Sequence, residues 1–367
     1  MHKWELTMHN FLLVLTIILM SCSTPAEVAL VSNPASEIDA YLNARADRDA
    51  FSGSVLIAQD GEILLSKGYG FADREQKIPN DPQTRFRIGS VTKQFTAMAI
   101  LILQIQGKLN VQDRICAYLS ECPAAWEEIT IHHLLTHTSG IPNFTNFADY
   151  RKTRATPSPP EETIHRFENK PLDFQPGERW NYSNSGYILL GLIIEQAASQ
   201  SYETFLQKNI FTPLKMTSSG YDHNRNDLAV GYKDRSHKAD FADMSIPFAA
   251  GGLYSTVEDM YQWDQALYRE QLVPQAVLDE MFAPHAAIPK SFSMVTGSSE
   301  SAYGYGWMIG KEDNRRIIEH GGGIEGFASI ITRYPDNHTT IIILSNQQNN
   351  RVDSIRAEIT KRLFRDD

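Results

Sequence analysis

Apolar positions change their rhythm along this chain, and each rhythm predicts a different element. Ile38, Tyr41, Leu42 and Ala46 recur at helical spacing behind Ser36, a residue suited to cap a helix start, and predict a first helix. Val55-Leu56-Ile57 and Ile63-Leu64-Leu65 flank Asp60-Gly61, a pair that accepts the positive φ angles of a two-residue hairpin turn. From about Asn80 to Pro289 helical periodicity and long loops dominate, with helices expected over Thr130–Leu135, Ser185–Ala198 and Val257–Tyr268 and a loop at Pro157, Pro159 and Pro160. Strand-like runs return at Tyr305–Ile309, Arg316–Glu319, Ala328–Thr332 and Thr340–Leu344, set apart by turn residues such as Pro335-Asp336-Asn337. A last helix begins near Asp353 and carries Ile355, Ile359 and Leu363 on one face.

This order predicts an α+β fold in which strands from both ends of the chain form one antiparallel sheet, flanked by the N- and C-terminal helices. The sheet part is expected over 36–80 and 290–367 and a mainly helical inserted domain over 81–289, with the active site between the two.

One run breaks the amphipathic pattern. Ala97-Met98-Ala99-Ile100-Leu101-Ile102-Leu103 has no polar side, so a helix here is expected inside the protein, ending at Gly107 as a C-cap. Ser90 and Lys93 stand one turn apart at its head and form the only Ser-x-x-Lys in the sequence. The positive end of a buried helix and its apolar surroundings disfavour an ammonium, which suits Lys93 to take a proton from a nucleophilic Ser90.

Composition changes this picture at the N-terminus. The 367 residues carry a net charge of −10 without any basic run, which argues against a nucleic-acid partner. Phe11 to Met20 is apolar, too short for a bilayer span and right for a signal-peptide core. Leu19-Met20-Ser21-Cys22 resembles a bacterial lipobox. The expectation is a signal peptide over 1–21, lipidation at Cys22, a spacer over 22–35, and an exported bacterial lipoprotein on the periplasmic side, favouring the outer membrane and touching membrane only through its anchor. Cys116 and Cys122 are left to pair as a disulfide or to stay free thiols.

Two further segments add chemistry. Tyr182-Ser183-Asn184 sits where a loop meets an apolar helix, a place from which side chains reach a cleft; Tyr41-Leu42-Asn43 repeats the spacing inside the first helix, where packing and surface roles are expected. His320-Gly321-Gly322-Gly323 follows a strand and offers an imidazole beside backbone that a ligand can approach closely. Together the segments supply a nucleophile with an amine, a phenol with an amide, and bare backbone N–H groups, which is a set for acyl transfer. His132, His133 and His137 lack the intervening Glu of a His-Glu-x-x-His zinc site, so no metal is assigned. Asn181-Tyr182-Ser183 fits a glycosylation acceptor but overlaps the site.

The three segments resemble those of the serine hydrolases of the class C β-lactamase and low-molecular-mass penicillin-binding protein type, whose relatives carry Ser-x-x-Lys, Ser-Asp-Asn and Lys-Thr-Gly elements. His133 to Pro142 and Gly251 to Thr256 also look like family segments, so the resemblance extends from about Ser52 to Asn346. It implies that Ser90 forms an acyl-enzyme, that Lys93 and Tyr182 share the base role with a phenolate favoured by Lys93, and that Asn184 orients the acyl side chain. It further implies substrate binding by His320 and Gly322, with the N–H groups of Ser90 and Gly323 facing the oxyanion. No cofactor is implied. His-x-Gly in place of Lys-Thr-Gly removes a fixed positive charge and argues against efficient β-lactam hydrolysis. D-alanyl-D-alanine carboxypeptidase-like or D-amino-acid peptidase-like activity on peptidoglycan-derived or other small amides follows, with a carboxylesterase, a weak β-lactamase or a penicillin-binding sensor without turnover as alternatives. Glu325 is expected to favour amine-bearing substrates, and the loops Thr153 to Glu162 and Ser291 to Ser301 to set substrate choice.

Overall fold

In the computed structural model, strands from the two ends of the chain zip together. The structure describes Met1 and residues 33–289 and 301–365; the signal segment, Cys22 and most of the Ser291 to Ser301 loop lie outside the described residues. Helix α1 (Pro34–Ala46) leads into β1 (Gly53–Gln59) and β2 (Glu62–Tyr69), joined by Asp60 and Gly61 with φ of 52° and 83°. Near the other terminus come β3 (Ala286–Ala287), β4 (Ala302–Tyr303), β5 (Met308–Glu312), β6 (Arg315–Ile324), β7 (Phe327–Tyr334) and β8 (Thr339–Ser345). They form one antiparallel sheet in the order β2-β1-β8-β7-β6-β5-β4-β3, in which Val55 of β1 lies opposite Ile343 of β8. Residues from Pro34 onward form one unit.

The central strands β1, β7 and β8 are buried on both faces, and their two-residue alternation sorts side chains into two cores. Val55, Ile57, Ile341 and Ile343 face α1 and the C-terminal helix Val352–Leu363, where Ile38, Leu42, Ile355 and Ile359 meet them. Leu56, Ala58, Ile342 and Leu344 face the helical segment. There α2 (Thr92–Ile105) is enclosed from Thr92 to Leu103 and ends in a Schellman cap: Gly107, at φ 67°, donates to Gln104, and Lys108 donates to Leu103. α3 (Ile131–Leu135) starts from a capping box between Thr130 and His133. α4 (Asn184–Ala198) and α5 (Val257–Ala266) bury Tyr187 to Gly191 and Met260, Trp263 and Ala266 in the interior.

Three details differ from the sequence reading. Tyr305 is not in a strand, because Gly306 (φ 77°) turns the chain against the Lys93 carbonyl and the strand begins at Met308. Ala286–Ala287 joins the sheet although the preceding region reads as helical. Ser90 belongs to a 3₁₀ turn, Gly89–Val91, and α2 proper begins at Thr92. Cys116 and Cys122 form a disulfide.

α5 is tied to the sheet by a buried ion pair: Arg333 Nε of β7 donates to Asp264 Oδ1 at 2.6 Å, both side chains at most 2% exposed. Removing one partner strands the other charge away from water. Asp264→Ala is therefore expected to lower unfolding free energy by about 3–5 kcal/mol in urea titration, whereas Glu128→Ala, breaking the exposed Arg114–Glu128 pair, should leave the midpoint unchanged.

Candidate active site

The turn carrying Ser90 rests directly on strand β6, and missing side chains make that contact. A Cβ on Gly322 would lie 2.1 Å from the Ile88 carbonyl oxygen, and one on Gly89 would lie 2.9 Å from Gly323 N. Ser329 of β7 donates to the Ile88 carbonyl at 2.7 Å and fixes the turn. Ser90 and Gly323 consequently line one cavity of about 530 Å³ with Asn184, Tyr150, Arg154 and Glu325.

Lys93 is fully buried, and burial drives its pKa well below the ordinary ammonium value. Its Nζ is 2.8 Å from Asn184 Oδ1 and 2.7 Å from the Ala250 carbonyl oxygen. Both partners only accept, so they take the two hydrogens of a neutral amine. The third contact of Nζ is Ser90 Oγ at 3.3 Å; in the neutral amine, with both hydrogens so engaged, the lone pair is left to accept from the Ser90 hydroxyl. Asn184 is itself oriented: its Nδ2 donates to Asn143 Oδ1 and Thr145 Oγ1 at 3.3 and 3.2 Å, turning Oδ1 toward Lys93. This fixes the Lys93 amine, in addition to lining the cavity.

The Tyr182 hydroxyl shares a hydrogen bond with Ser90, while burial, the larger effect, raises its pKa above the ordinary phenol value. Lys93 Nζ stands 5.0 Å from the Tyr182 ring centroid, and the burial that depresses its pKa disfavours the positive charge a phenolate would need beside it. Burial thus favours the phenol at Tyr182 over the phenolate expected from the sequence.

His320 is 1% exposed and absent from the cavity wall. Its Nδ1 donates to the Gly321 carbonyl at 2.7 Å and its Nε2 accepts from the Tyr303 hydroxyl at 2.9 Å, so neither nitrogen is left for a substrate. Burial pushes its pKa down to about 3. Gly322 likewise faces Ile88 and Ser329. The direct substrate contacts expected of these two residues are thus corrected to support behind Tyr182 and beneath the Ser90 turn. Glu325 does line the cavity, yet it is no free carboxylate: Arg154 Nη1 donates to it at 2.9 Å and Arg154 Nη2 reaches Asp240 at 2.7 Å.

The remaining histidines have separate places. His133 caps α3, His132 bonds the Tyr305 hydroxyl at 2.8 Å, and His137 packs on Tyr182 with ring centroids 4.3 Å apart. In the first helix Asn43 donates to the Asp39 carbonyl, and Arg362 lies over the Tyr41 ring, far from this chemistry in role. Sequence reasoning missed Asn143, Thr145, Arg154, Ala250 and Tyr303, whose polar contacts join segments distant in the chain. His137 carried a signal inside the family-like stretch His133 to Pro142, and Arg154 inside the loop Thr153 to Glu162.

A serine held between a neutral amine and a phenol defines the class, a serine hydrolase. The Beta-lactamase family profile matches residues 38–363, and the chain belongs to that family. A penicillin-binding protein of Bacillus subtilis is 29% identical over 325 residues, covering 82% of this chain and 69% of that one. The crystal structure of a penicillin-binding protein from Bacillus halodurans is similar with a TM-score of 0.76 at 29% identity, covering 88% of this chain and 99% of that one. A D-stereospecific amidohydrolase from Streptomyces sp. is similar with a TM-score of 0.76 at 25% identity, covering 91% and 99%.

Protonation of Lys93 removes the lone pair that faces Ser90, so activity disappears as pH falls through its depressed pKa. We expect kcat/KM for an uncharged ester to reach its plateau well below the ordinary lysine value of ~10.4 and Lys93→Met to lower it about 10²–10⁴-fold. A rate still rising at pH ~10 would show an ordinary ammonium at Lys93.

Proposed function

We propose that this chain hydrolyses small amides and esters through an acyl-enzyme on Ser90, with amino-acid amides and short D-peptides as its substrate class. The observation that carries this reading is the buried Lys93 Nζ, 2.8 Å from Asn184 Oδ1, 2.7 Å from the Ala250 carbonyl and 3.3 Å from Ser90 Oγ, a geometry in which a neutral amine donates to the first two and accepts from the third. Ser90 Oγ attacks the carbonyl carbon as its proton passes to Lys93. The oxyanion that forms faces the N–H groups of Ser90 and Gly323. Tyr182 gives its proton to the leaving nitrogen or oxygen as that bond breaks, and Lys93 returns a proton to Tyr182. Water then attacks the acyl-enzyme, its proton is taken up by the same pair, and Ser90 leaves with a proton as the acid is released.

The charges around the cavity favour substrates without a terminal carboxylate. Burial disfavours the charged forms of Lys93 and His320, and Arg154 is engaged by Glu325 and Asp240. Exposed Arg151 is the lining cation with no carboxylate partner among the described residues, and it alone favours the second reading, a D-alanyl-D-alanine carboxypeptidase. The similarity to a D-stereospecific amidohydrolase supports the first.

A panel of p-nitrophenyl acetate, D-alanine p-nitroanilide, a D-alanyl-D-alanine peptide and a chromogenic cephalosporin tests this. Turnover is expected on the ester and anilide, slower turnover on the other two, and loss of all of it in Ser90→Ala. A labelled penicillin adduct on Ser90 with no turnover of any substrate would show a sensor instead.

We also infer that the protein is exported and anchored by lipid on Cys22; the Cys116–Cys122 disulfide supports an oxidising compartment. Radiolabelled palmitate should enter the wild-type protein and not Cys22→Ala, and label retained by that variant would remove the anchor.

A further inference from the structure

We infer that His137 is a positioning residue for Tyr182, seizing the backbone on both sides of it with two acceptors; this rests on the role proposed above for Tyr182 as proton donor to the leaving group. His137 follows α3 with φ of 59°, a left-handed conformation that only a few per cent of non-glycine residues adopt, Asn, Asp and His more often than others. Its carbonyl oxygen accepts from Asn181 N at 2.9 Å, and its ring Nδ1 accepts from Ser183 N at 3.2 Å. Tyr182 is the one residue between those donors. The His137 ring also packs on the Tyr182 ring at 4.3 Å and on the Tyr303 ring at 4.7 Å, so backbone and side chain of Tyr182 are held by the same residue.

The arrangement carries two local costs. Because Nδ1 accepts, the ring hydrogen lies on Nε2, which is buried and has no hydrogen-bond partner among the described residues. A buried N–H left unsatisfied and a bulky residue in the left-handed region are each unfavourable, and such features persist where the surrounding structure enforces them, most often at functional sites. Both occur here on one residue that touches Tyr182 and is 1% exposed. An apolar side chain would fill the space without the orphaned N–H, but it would offer no acceptor to Ser183.

Leaving-group dependence separates positioning from mere support. p-Nitrophenolate departs from an ester as a stable anion, whereas an amine must be protonated before its C–N bond breaks, so a displaced Tyr182 harms amides selectively. His137→Leu, folded by near-UV circular dichroism, is expected to lose about 100-fold in kcat on D-alanine p-nitroanilide and less than about fivefold on p-nitrophenyl acetate, the pattern also expected of Tyr182→Phe. His137→Asn keeps a side-chain oxygen for Ser183 N and tolerates positive φ, and is expected to retain the wild-type ratio of the two rates within about threefold. Equal losses on both substrates in His137→Leu would overturn the proposal. If that variant does not fold, a selective amide loss of tenfold or more in His137→Asn overturns it, and a retained ratio supports it. Wild-type protein inactive on both probes, or Ser90→Ala still active, would instead overturn the acyl-enzyme reading on which it rests.

Discussion

Everything in the cleft depends on keeping one lysine amine out of water. An ammonium without a counter-ion is expensive to bury, and among the described residues Lys93 has no carboxylate beside it, its partners being an amide oxygen, a peptide carbonyl and the Ser90 hydroxyl. The inexpensive state is the neutral amine, and two acceptors leave it a single direction for its lone pair. Burial thereby sets protonation and orientation at once. The apolar run from Ala97 to Leu103 holds α2 in the interior so that its first turn delivers this amine beneath Ser90.

The second constraint is the close approach of two backbones. Ile88 and Gly89 come against Gly322 and Gly323 at distances that no Cβ would permit, and the helical segment meets the sheet there. The sheet can present β6 in this way because its other strands are locked by two cores, one on each face. Chain ends that pair as β1 and β8 make the platform, and the long middle of the sequence hangs the nucleophile above it.

Around Tyr182 the structure uses neutral histidines as rigid parts. His320 is fixed by Tyr303 and Gly321, and His137 by Ser183. Desolvation holds both uncharged, so neither adds a positive charge next to Lys93 that would compete for the proton. Substrate-facing charge lies farther out, where Arg154 joins Glu325 and Asp240 across the cavity wall.

Local pattern determined much of this. The two-residue turn at Asp60-Gly61, the stop at Gly107, the alternating strands, the uniformly apolar α2 and the spacing of Ser90 to Lys93 are all set by near neighbours, and rhythm alone exposes them. Asn184 and Gly323 were legible for the same reason: one begins a helix and the other lies in a glycine run. Only tertiary structure decided where protons reside and which groups meet a substrate. Tyr182 becomes a phenol, His320 turns inward, Glu325 acquires Arg154 and His137 grips the loop of Tyr182, because desolvation and hydrogen bonds between residues 17 to 171 positions apart are properties of the packed chain and not of any stretch of it.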